Sequence, residues 1–175
     1  PYDRRFHAQP NACHVCGPAL SWHDFSGSVV LTADVLATAA TALAAGWIVA
    51  LRGLGGFHLV VDAACQEAVA RLRRRKRRPA KPLAVMAVDL ASLREACEVD
   101  LLSEELLLGP QRPIVLVPRN SAPVLAANLA PGVDELGVML PYTPLHELLF
   151  RTPGCPSVLV MTSGNRSGEP ICTSN

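Results

Sequence analysis

The chain has 175 residues and a net charge of +1, and 50% of its residues are hydrophobic. It is long enough for one domain with a substantial core, built mainly from Val, Leu and Ala because aromatic residues make up only 5%. No apolar run reaches the roughly 18–20 residues that span a bilayer, and no signal peptide opens the chain. Six cysteines beside this much core do not indicate a disulfide framework, so we expect a soluble, cytosolic protein.

Residues 1–28 differ in composition from the rest of the chain. They are rich in Pro, His and Cys and have no apolar period, whereas helical and strand-like patterns alternate from Val29 onward. We therefore predict two units, residues 1–28 and residues 29–175. The sequence begins with Pro1 and stops at "ICTSN" without a helix end or a strand, and we interpret it as a piece of a longer polypeptide.

The patterns after Val29 predict an α/β fold. Helices are expected in "TADVLATAATALAAG" with Thr32 as N-cap, "DAACQEAVARLRRRK" with Asp62 as cap, "LASLREACEV", "SEELLLG", and "TPLHELLF" with Thr143 as cap. Strands are expected in "WIVAL", "FHLVVDA", "PLAVMAV", "PIVLVP", "GVMLP" and "SVLVMTS". Apolar strands interleaved with helices are typical of a sheet covered by helices.

The segment "CHVC" is the one cysteine pair with a motif spacing. Two thiolates at this spacing, Cys13 and Cys16, can occupy adjacent corners of a zinc tetrahedron. A closed site needs four ligands, and the sequence has no second Cys-x2-Cys pair. Half a zinc site and an ordinary reduced loop pair both remain open.

Two loops beside strands carry residues that suit ligand binding. "RGLGGFH" has three glycines, at 53, 55 and 56, which permit close backbone approach, although a plain turn explains them too. It is neither a Walker A loop nor a dinucleotide fingerprint. "MTSGNRSGEP" places hydroxyl, amide and backbone donors after an apolar strand, where α/β sheets bind ligands, but these residues are also ordinary turn formers.

A basic run lies where the second helix ends. Arg71–Lys81 holds eight of the 16 basic residues, and without them the balance would be 8 positive against 15 negative charges, or −7. Lys76 and Arg78 lie two residues apart before a proline and can converge on a phosphate group. Arginine binds phosphate through a planar fork of N–H donors, and lysine binds it as a point charge. A solvated helix end and non-specific nucleic-acid binding are the alternatives.

Together these segments resemble a known family. "GLGGFHLVVDA", "LRRRKRRPAKPLAVM", "RPIVLVPR", "GVMLPYTPLHELL" and "VMTSGNRSGEP" closely resemble, in this order, the HypF family, the carbamoyltransferases of nickel–iron hydrogenase maturation. Phe6–Pro18 also resembles the end of the second of that family's two zinc-finger modules. The resemblance implies the end of a zinc finger in residues 1–28 and a YrdC-like domain, an open, twisted mixed α/β sheet, in residues 29–175. That domain continues past "ICTSN" in the family, so we expect it to be truncated here.

The resemblance implies a reaction. In this family the YrdC-like domain joins ATP to carbamate, derived from carbamoyl phosphate, and gives carbamoyl adenylate and pyrophosphate. A further domain passes the carbamoyl group to the partner protein HypE. Neither the acylphosphatase nor the transferase domain is present in these residues, so the chain would perform the adenylation step. ATP and Mg²⁺ are the expected cofactors, with Zn²⁺ on Cys13 and Cys16 once the finger is complete.

The resemblance also implies site residues, matched motif by motif. The family's K-x-R falls on Lys76 and Arg78, the expected catalytic pair, and its S-x-N falls on Ser163 and Asn165. The full set of expected nucleotide contacts is Lys76, Arg78, Lys81, Thr162, Ser163, Asn165, Arg52, Gly55 and Gly56. Arg71 and Arg73–Arg75 are expected on the solvated end of the helix.

Two other functions remain as alternatives. YrdC-like relatives act in tRNA modification, so the chain could bind RNA or make threonylcarbamoyl adenylate. RNA recognition by base stacking uses exposed aromatic side chains, and the basic run contains none, so we expect no nucleic-acid partner. The finger segment and "GLGGFHL" favour the HypF family over the threonylcarbamoyl enzymes.

Overall fold

The computed structural model describes residues 17–120, 124–166 and 168–173. The strands in this part of the chain are β1 (Trp22–His23), β2 (Val29–Val30), β3 (Val49–Arg52), β4 (Phe57–Asp62), β5 (Val85–Ala87), β6 (Val115–Pro118), β7 (Glu135–Met139) and β8 (Val158–Ser163). The helices are α1 (Val35–Ala44), α2 (Gln66–Lys76), α3 (Leu90–Ala96), α4 (Leu101–Leu108) and α5 (Pro144–Arg151), with a short 3-10 helix at Ala127–Leu129.

Six of these strands form one mixed sheet in the order β3-β4-β8-β5-β7-β6. β5 and β7 run parallel, and the other neighbouring pairs are antiparallel. β8 lies inside the sheet and ends at Ser163, which is paired with His58 near the start of β4. The predicted open, mixed α/β sheet is confirmed.

Helices cover both faces of the sheet because successive residues of a strand point to opposite sides. Val158 and Val160 of β8 join a core formed with α2, α3, α4 and the 3-10 helix. Leu159 and Met161 join a second core with α1 and α5. Burial of a Leu or Met side chain contributes about 2 kcal/mol, so packing on both faces fixes the position at which β8 ends.

The ends of two helices differ from the prediction. The N-cap of α1 is Asp34, whose carboxylate accepts the amides of Leu36 and Ala37 at 2.8 and 3.0 Å. Thr32 is therefore not the cap, and its hydroxyl lies 2.6 Å from that of Thr38 instead. A carboxylate two residues closer to the helix satisfies its free amides directly, which explains the preference for Asp34.

The predicted cap of α2, Asp62, was also wrong, whereas the predicted cap of α5, Thr143, is confirmed. α2 follows Cys65, which makes no side-chain cap bond, and Asp62 accepts the amide of Ala64 in the preceding turn. The hydroxyl of Thr143 accepts the amide of His146 at 3.2 Å and caps α5.

A small antiparallel hairpin of β1 and β2 precedes the main sheet, and the sequence patterns did not predict it. One strand of this hairpin comes before the predicted boundary between residues 28 and 29, and the other strand follows it. The division of the chain at this boundary stays a prediction. None of the helices in the described part of the chain combines the length and the apolar character needed to cross a membrane.

Candidate functional site

The end of α2 turns the basic run back toward the sheet. Arg77 follows the last helical residue in the left-handed conformation, with φ of 52°, and its amide donates to carbonyls of the last helical turn. The helix therefore ends at Lys76, the last residue of the predicted helical segment. Arg74 and Arg75 are exposed, as expected for a solvated helix end.

Arg73 is buried, and its placement on the solvated end was wrong. It is 7% exposed, and its guanidinium donates to five backbone carbonyls at 2.6–3.2 Å, those of Asn128, Arg78, Pro79, Lys81 and Leu129. Arg71 is also engaged, donating to the carbonyl of Gly46 at 2.5 Å. Part of the basic run therefore shapes the fold, because the five donors of a guanidinium can serve several carbonyls at once.

Lys76 joins α2 to the end of β8. It is 2% exposed, and its ammonium donates to the carbonyls of Ser163 and Asn165 at 2.5 and 2.7 Å and to Oδ1 of Asn165 at 3.2 Å. These acceptors use all three N–H groups of the ammonium. Burial, and then the charge of Arg78, lower the pKa of Lys76. The K-x-R and S-x-N motifs therefore meet in space through this lysine.

The turn that follows β8 is held from several sides. Ser163 Oγ lies 2.6 Å from Asn165 Oδ1, and the amide of Gly164 donates to the carbonyl of Phe57 at 2.5 Å. A Cβ atom on Gly164 would lie 2.7 Å from that carbonyl oxygen, so only glycine fits between the turn and β4. The side-chain amide of Asn165 also donates to the carbonyl of Glu169. We call residues 163–165 the SxN turn.

The glycine loop between β3 and β4 packs against the C-terminal segment. The Gly53 amide donates to the Gly56 carbonyl at 2.8 Å, and the Phe57 amide donates to the Cys172 carbonyl at 2.8 Å. The Cys172 amide in turn donates to the carbonyl of Gly164 at 3.0 Å. The glycine loop, the SxN turn and residues 171–172 thus form one hydrogen-bonded unit. Arg52 lies with its guanidinium carbon 5.6 Å from the Phe57 ring centroid.

Gly56→Ala is expected to lower the free energy of unfolding by about 2 kcal/mol, because φ is +140° and a Cβ would lie 2.6 Å from the Cys172 carbonyl oxygen. Gly55→Ala is the matched control, since nothing lies within 4 Å of its Cβ position. Urea denaturation of both variants measures the difference. Equal losses would show that contact with residues 171–172 does not set the requirement for glycine.

A pocket of about 390 Å³ opens beside this unit. Its polar lining comes from α2 and from the SxN turn and the residues after it, and consists chiefly of Arg75, Lys76, Asn165, Arg166 and Glu169. Phe57 and Leu59 of β4 form an apolar wall. Three cations against one carboxylate make the pocket suited to a multiply charged anion with an apolar part.

Arg78 lines a second pocket, of about 340 Å³, together with Arg73, Arg74, Arg77 and Asn128. Its guanidinium donates to the carbonyls of Lys81 and Pro82 at 3.2 and 2.5 Å. Burial lowers the pKa of Arg78. The two residues of the K-x-R motif therefore line adjacent pockets on either side of the end of α2.

The remaining expected contacts lie around this core of the site. Lys81 is exposed and Thr162 is 8% exposed on β8 beside the SxN turn. Arg52 and Gly55 are exposed on the glycine loop, and Gly56 is buried in it. The direct nucleotide contacts of these residues stay predictions.

Sequence reasoning missed several residues of the pocket. Arg75 is exposed at the end of α2 as expected, but its place in the pocket lining was not predicted, and Gly164, Arg166, Glu169 and Cys172 had no assigned role. The run "SGNRSGE" contained the available signal, because it follows directly on the S-x-N motif. Cys13 and Cys16 lie outside the described residues, and the zinc prediction stays a prediction. Within the described ranges no group of three His, Cys, Asp or Glu side chains is placed to hold a metal ion.

Comparison with known proteins places the chain in a family. A family model described as telomere recombination, which groups Sua5, YciO and YrdC, matches residues 41–175, and a model of the HypF finger matches residues 1–23. The carbamoyltransferase HypF of Rhodobacter capsulatus is 52% identical over an alignment of 177 positions, which covers 100% of this chain and 23% of that protein.

Two crystal structures agree with this match. Full-length HypF in a phosphate- and nucleotide-bound form superposes with a TM-score of 0.85 at 47% identity, over 99% of this chain and 22% of that one. HypF of T. kodakarensis gives 0.91 at 42% identity, over 99% and 23%. The chain thus spans less than a quarter of the length of these relatives. It belongs to the Sua5–YciO–YrdC family and, with a HypF finger ahead of that domain, to the HypF proteins within it.

Proposed function

We propose that this domain activates a carbamoyl group with ATP, forming carbamoyl adenylate and releasing pyrophosphate. The observation that carries the proposal is the junction at Lys76, which ties the end of α2 to the SxN turn beside a cationic pocket. A HypF relative in a phosphate- and nucleotide-bound form supports a nucleotide as the ligand. The relatives named carbamoyltransferase support the carbamoyl group as the cargo.

In the proposed reaction a carbamate oxygen attacks the α-phosphorus of ATP, and the bond from that phosphorus to the bridging oxygen of pyrophosphate breaks. Both partners are anions, so positive charge beside the phosphates lowers the barrier. Arg75 and Arg166 supply this charge from the pocket wall, and Arg78 supplies it from the adjacent pocket. Carbamate is already deprotonated, so the step needs no general base.

Lys76 acts in this proposal mainly by position. Its three N–H groups already hold the SxN turn, so its removal would release Ser163 and Asn165 as well as one positive charge. Mg²⁺ would accompany the triphosphate and share its charge, and Glu169 is a carboxylate on the pocket wall. We propose zinc for the finger at Cys13 and Cys16, and HypE as the protein that finally receives the carbamoyl group.

Lys76→Ala is expected to weaken Mg·ATP binding at least tenfold, which corresponds to about 1.4 kcal/mol. Calorimetric titration of the 175-residue chain measures it. Arg151→Ala is the matched control, since it removes an exposed cation from the opposite face of the sheet and should leave the Kd unchanged. Wild-type affinity in Lys76→Ala would contradict the assignment. Tight binding of a tRNA pool with no ATP signal would favour the RNA-binding alternative.

A further inference from the structure

The loop that follows α2 is held by its carbonyl groups. It runs from residue 78 to residue 82, and we call it the KxR loop. The buried guanidinium of Arg73 donates to three carbonyls of this loop at 2.9–3.2 Å, those of Arg78, Pro79 and Lys81. Its other two bonds, at 2.6 and 2.8 Å, reach carbonyls of the 3-10 helix region. One side chain from the last turn of α2 therefore fixes the KxR loop against the core.

The sequence of the KxR loop suits a loop held by its carbonyls. In a trans peptide unit the C=O and the following N–H point in opposite directions, so a carbonyl turned inward turns the next amide outward. Pro79 and Pro82 directly follow two of the inward carbonyls, and proline has no N–H to leave without a partner. The two prolines therefore favour the backbone shape that Arg73 holds.

The side chain of Arg78 is held on the same loop, but by weaker partners. Its guanidinium donates to the carbonyls of Lys81 and Pro82 at 3.2 and 2.5 Å. Both of these residues are exposed, so water can replace Arg78 at either carbonyl. The ion pairs in the described part of the chain do not include Arg78. Its side chain can therefore leave the loop without breaking a salt bridge or burying an unsatisfied group.

One carbonyl, that of Lys81, accepts from both arginines. Nη1 of Arg73 lies 3.1 Å from this oxygen, and Nε of Arg78 lies 3.2 Å from it. A carbonyl oxygen has two lone pairs and can accept both bonds. If the side chain of Arg78 turns away, Arg73 still satisfies the Lys81 carbonyl and continues to hold two others of the loop. The backbone of the KxR loop therefore keeps its shape whichever way Arg78 points.

We propose that Arg73 is a positioning residue for Arg78. It keeps the KxR loop fixed while the side chain of Arg78 leaves the loop carbonyls and binds a phosphate group of the nucleotide. Arg73 acts through the loop and does not contact the nucleotide itself, because its guanidinium is buried against five carbonyls. A cation on a fixed backbone stabilises the charge of a reacting phosphate without first reorganising its support. This inference rests on the proposed function, since it names the residue that prepares one of that reaction's cations.

A double-mutant cycle on the Kd for Mg·ATP tests the positioning role. Calorimetric titration of the 175-residue chain is done at a temperature where circular dichroism shows each variant to be folded. We expect Arg73→Lys to weaken binding about fivefold when Arg78 is present, and to have almost no effect in the Arg78→Ala chain, where the loop has no guanidinium left to position. A residue that only stabilises the fold would leave the Kd of the folded chain unchanged in both.

Leu43→Ala is the control for lost stability. Leu43 is fully buried in α1, in the core on the opposite face of the sheet, so its truncation destabilises the chain without touching the KxR loop. Its Kd for Mg·ATP should equal that of wild type. Wild-type affinity in folded Arg73→Lys, or the same loss of affinity with and without Arg78, would overturn the positioning role and leave the adenylation proposal standing.

Nitrogen-15 NMR of the arginine Nε–H groups in the wild-type chain gives a second readout that does not depend on a destabilised variant. We expect Mg·ATP to shift the signal of Arg78, while the signal of Arg73 stays in place and protected from exchange with solvent, since its Nε–H is bonded to the Asn128 carbonyl. An Arg78 signal that stays fixed at saturation, or loss of protection at Arg73, would overturn the positioning role. Failure of wild type to bind Mg·ATP at all would overturn the adenylation proposal, and the positioning role with it.

Discussion

Replacing Arg73 by alanine is expected to lower the free energy of unfolding by about 4 kcal/mol, near the upper end of single-residue effects. The guanidinium is buried and serves five carbonyls that come from the loop after α2 and from the 3-10 helix region. Each buried carbonyl left without a donor costs about 1–3 kcal/mol, reduced where water can enter the space that the side chain vacates. The loss should therefore exceed that of any exposed arginine in the same run.

Urea denaturation followed by circular dichroism measures this loss, and Arg74→Ala is the matched control. Arg74 is the next residue of α2 and is exposed, so its removal should change stability by less than about 0.5 kcal/mol. Arg73→Lys should fall between the two, because an ammonium has three donors and lacks the planar fork. Equal stability of Arg73→Ala and Arg74→Ala would contradict the structural role of Arg73.

The sheet was predictable from sequence because its signal is local. Each strand of the main sheet is a short apolar run bounded by turn residues, and these runs fall on β3–β8 within one or two residues at most ends. The α1 and α2 caps were not predictable to the residue, because Thr32 and Asp34 both suit an N-cap and the choice depends on where the chain leaves the preceding segment. The β1–β2 hairpin has only two residues per strand and no alternation to detect.

The site was predictable in its motifs and not in its geometry. Lys76 and the SxN turn lie 87 residues or more apart in sequence, and no spacing rule brings them together. Within the basic run, composition alone gives every arginine the same expectation of exposure, because charge runs are normally solvated. Arg73 is buried because it lies one residue after Leu72 on the core side of α2, where the loop after the helix and the 3-10 helix present free carbonyls. That information belongs to tertiary packing.

Acidification should destabilise the protein through His146. Burial holds its pKa at about 4 in the folded chain, against an ordinary value of 6.5. Between these values the unfolded chain takes up a proton that the folded chain does not bind, so stability is lost as the pH falls from about 6.5 to about 4. The shift corresponds to about 3 kcal/mol, and we expect about 2 kcal/mol once relaxation and water entry are allowed for.

His146→Leu isolates this effect, because it removes the titrating ring and fills the same buried space with an apolar side chain. Between pH 7 and pH 4.5 the urea midpoint of wild type should fall relative to that of the variant, since wild type loses stability that the variant keeps. The capping carboxylates of Asp89 and Asp100 have pKa values below their ordinary value of 3.8, so their contribution changes mainly below this window. A constant difference between the two proteins would mean that the folded chain protonates His146 as readily as the unfolded chain. The ring of His146 would then be open to water in the folded chain.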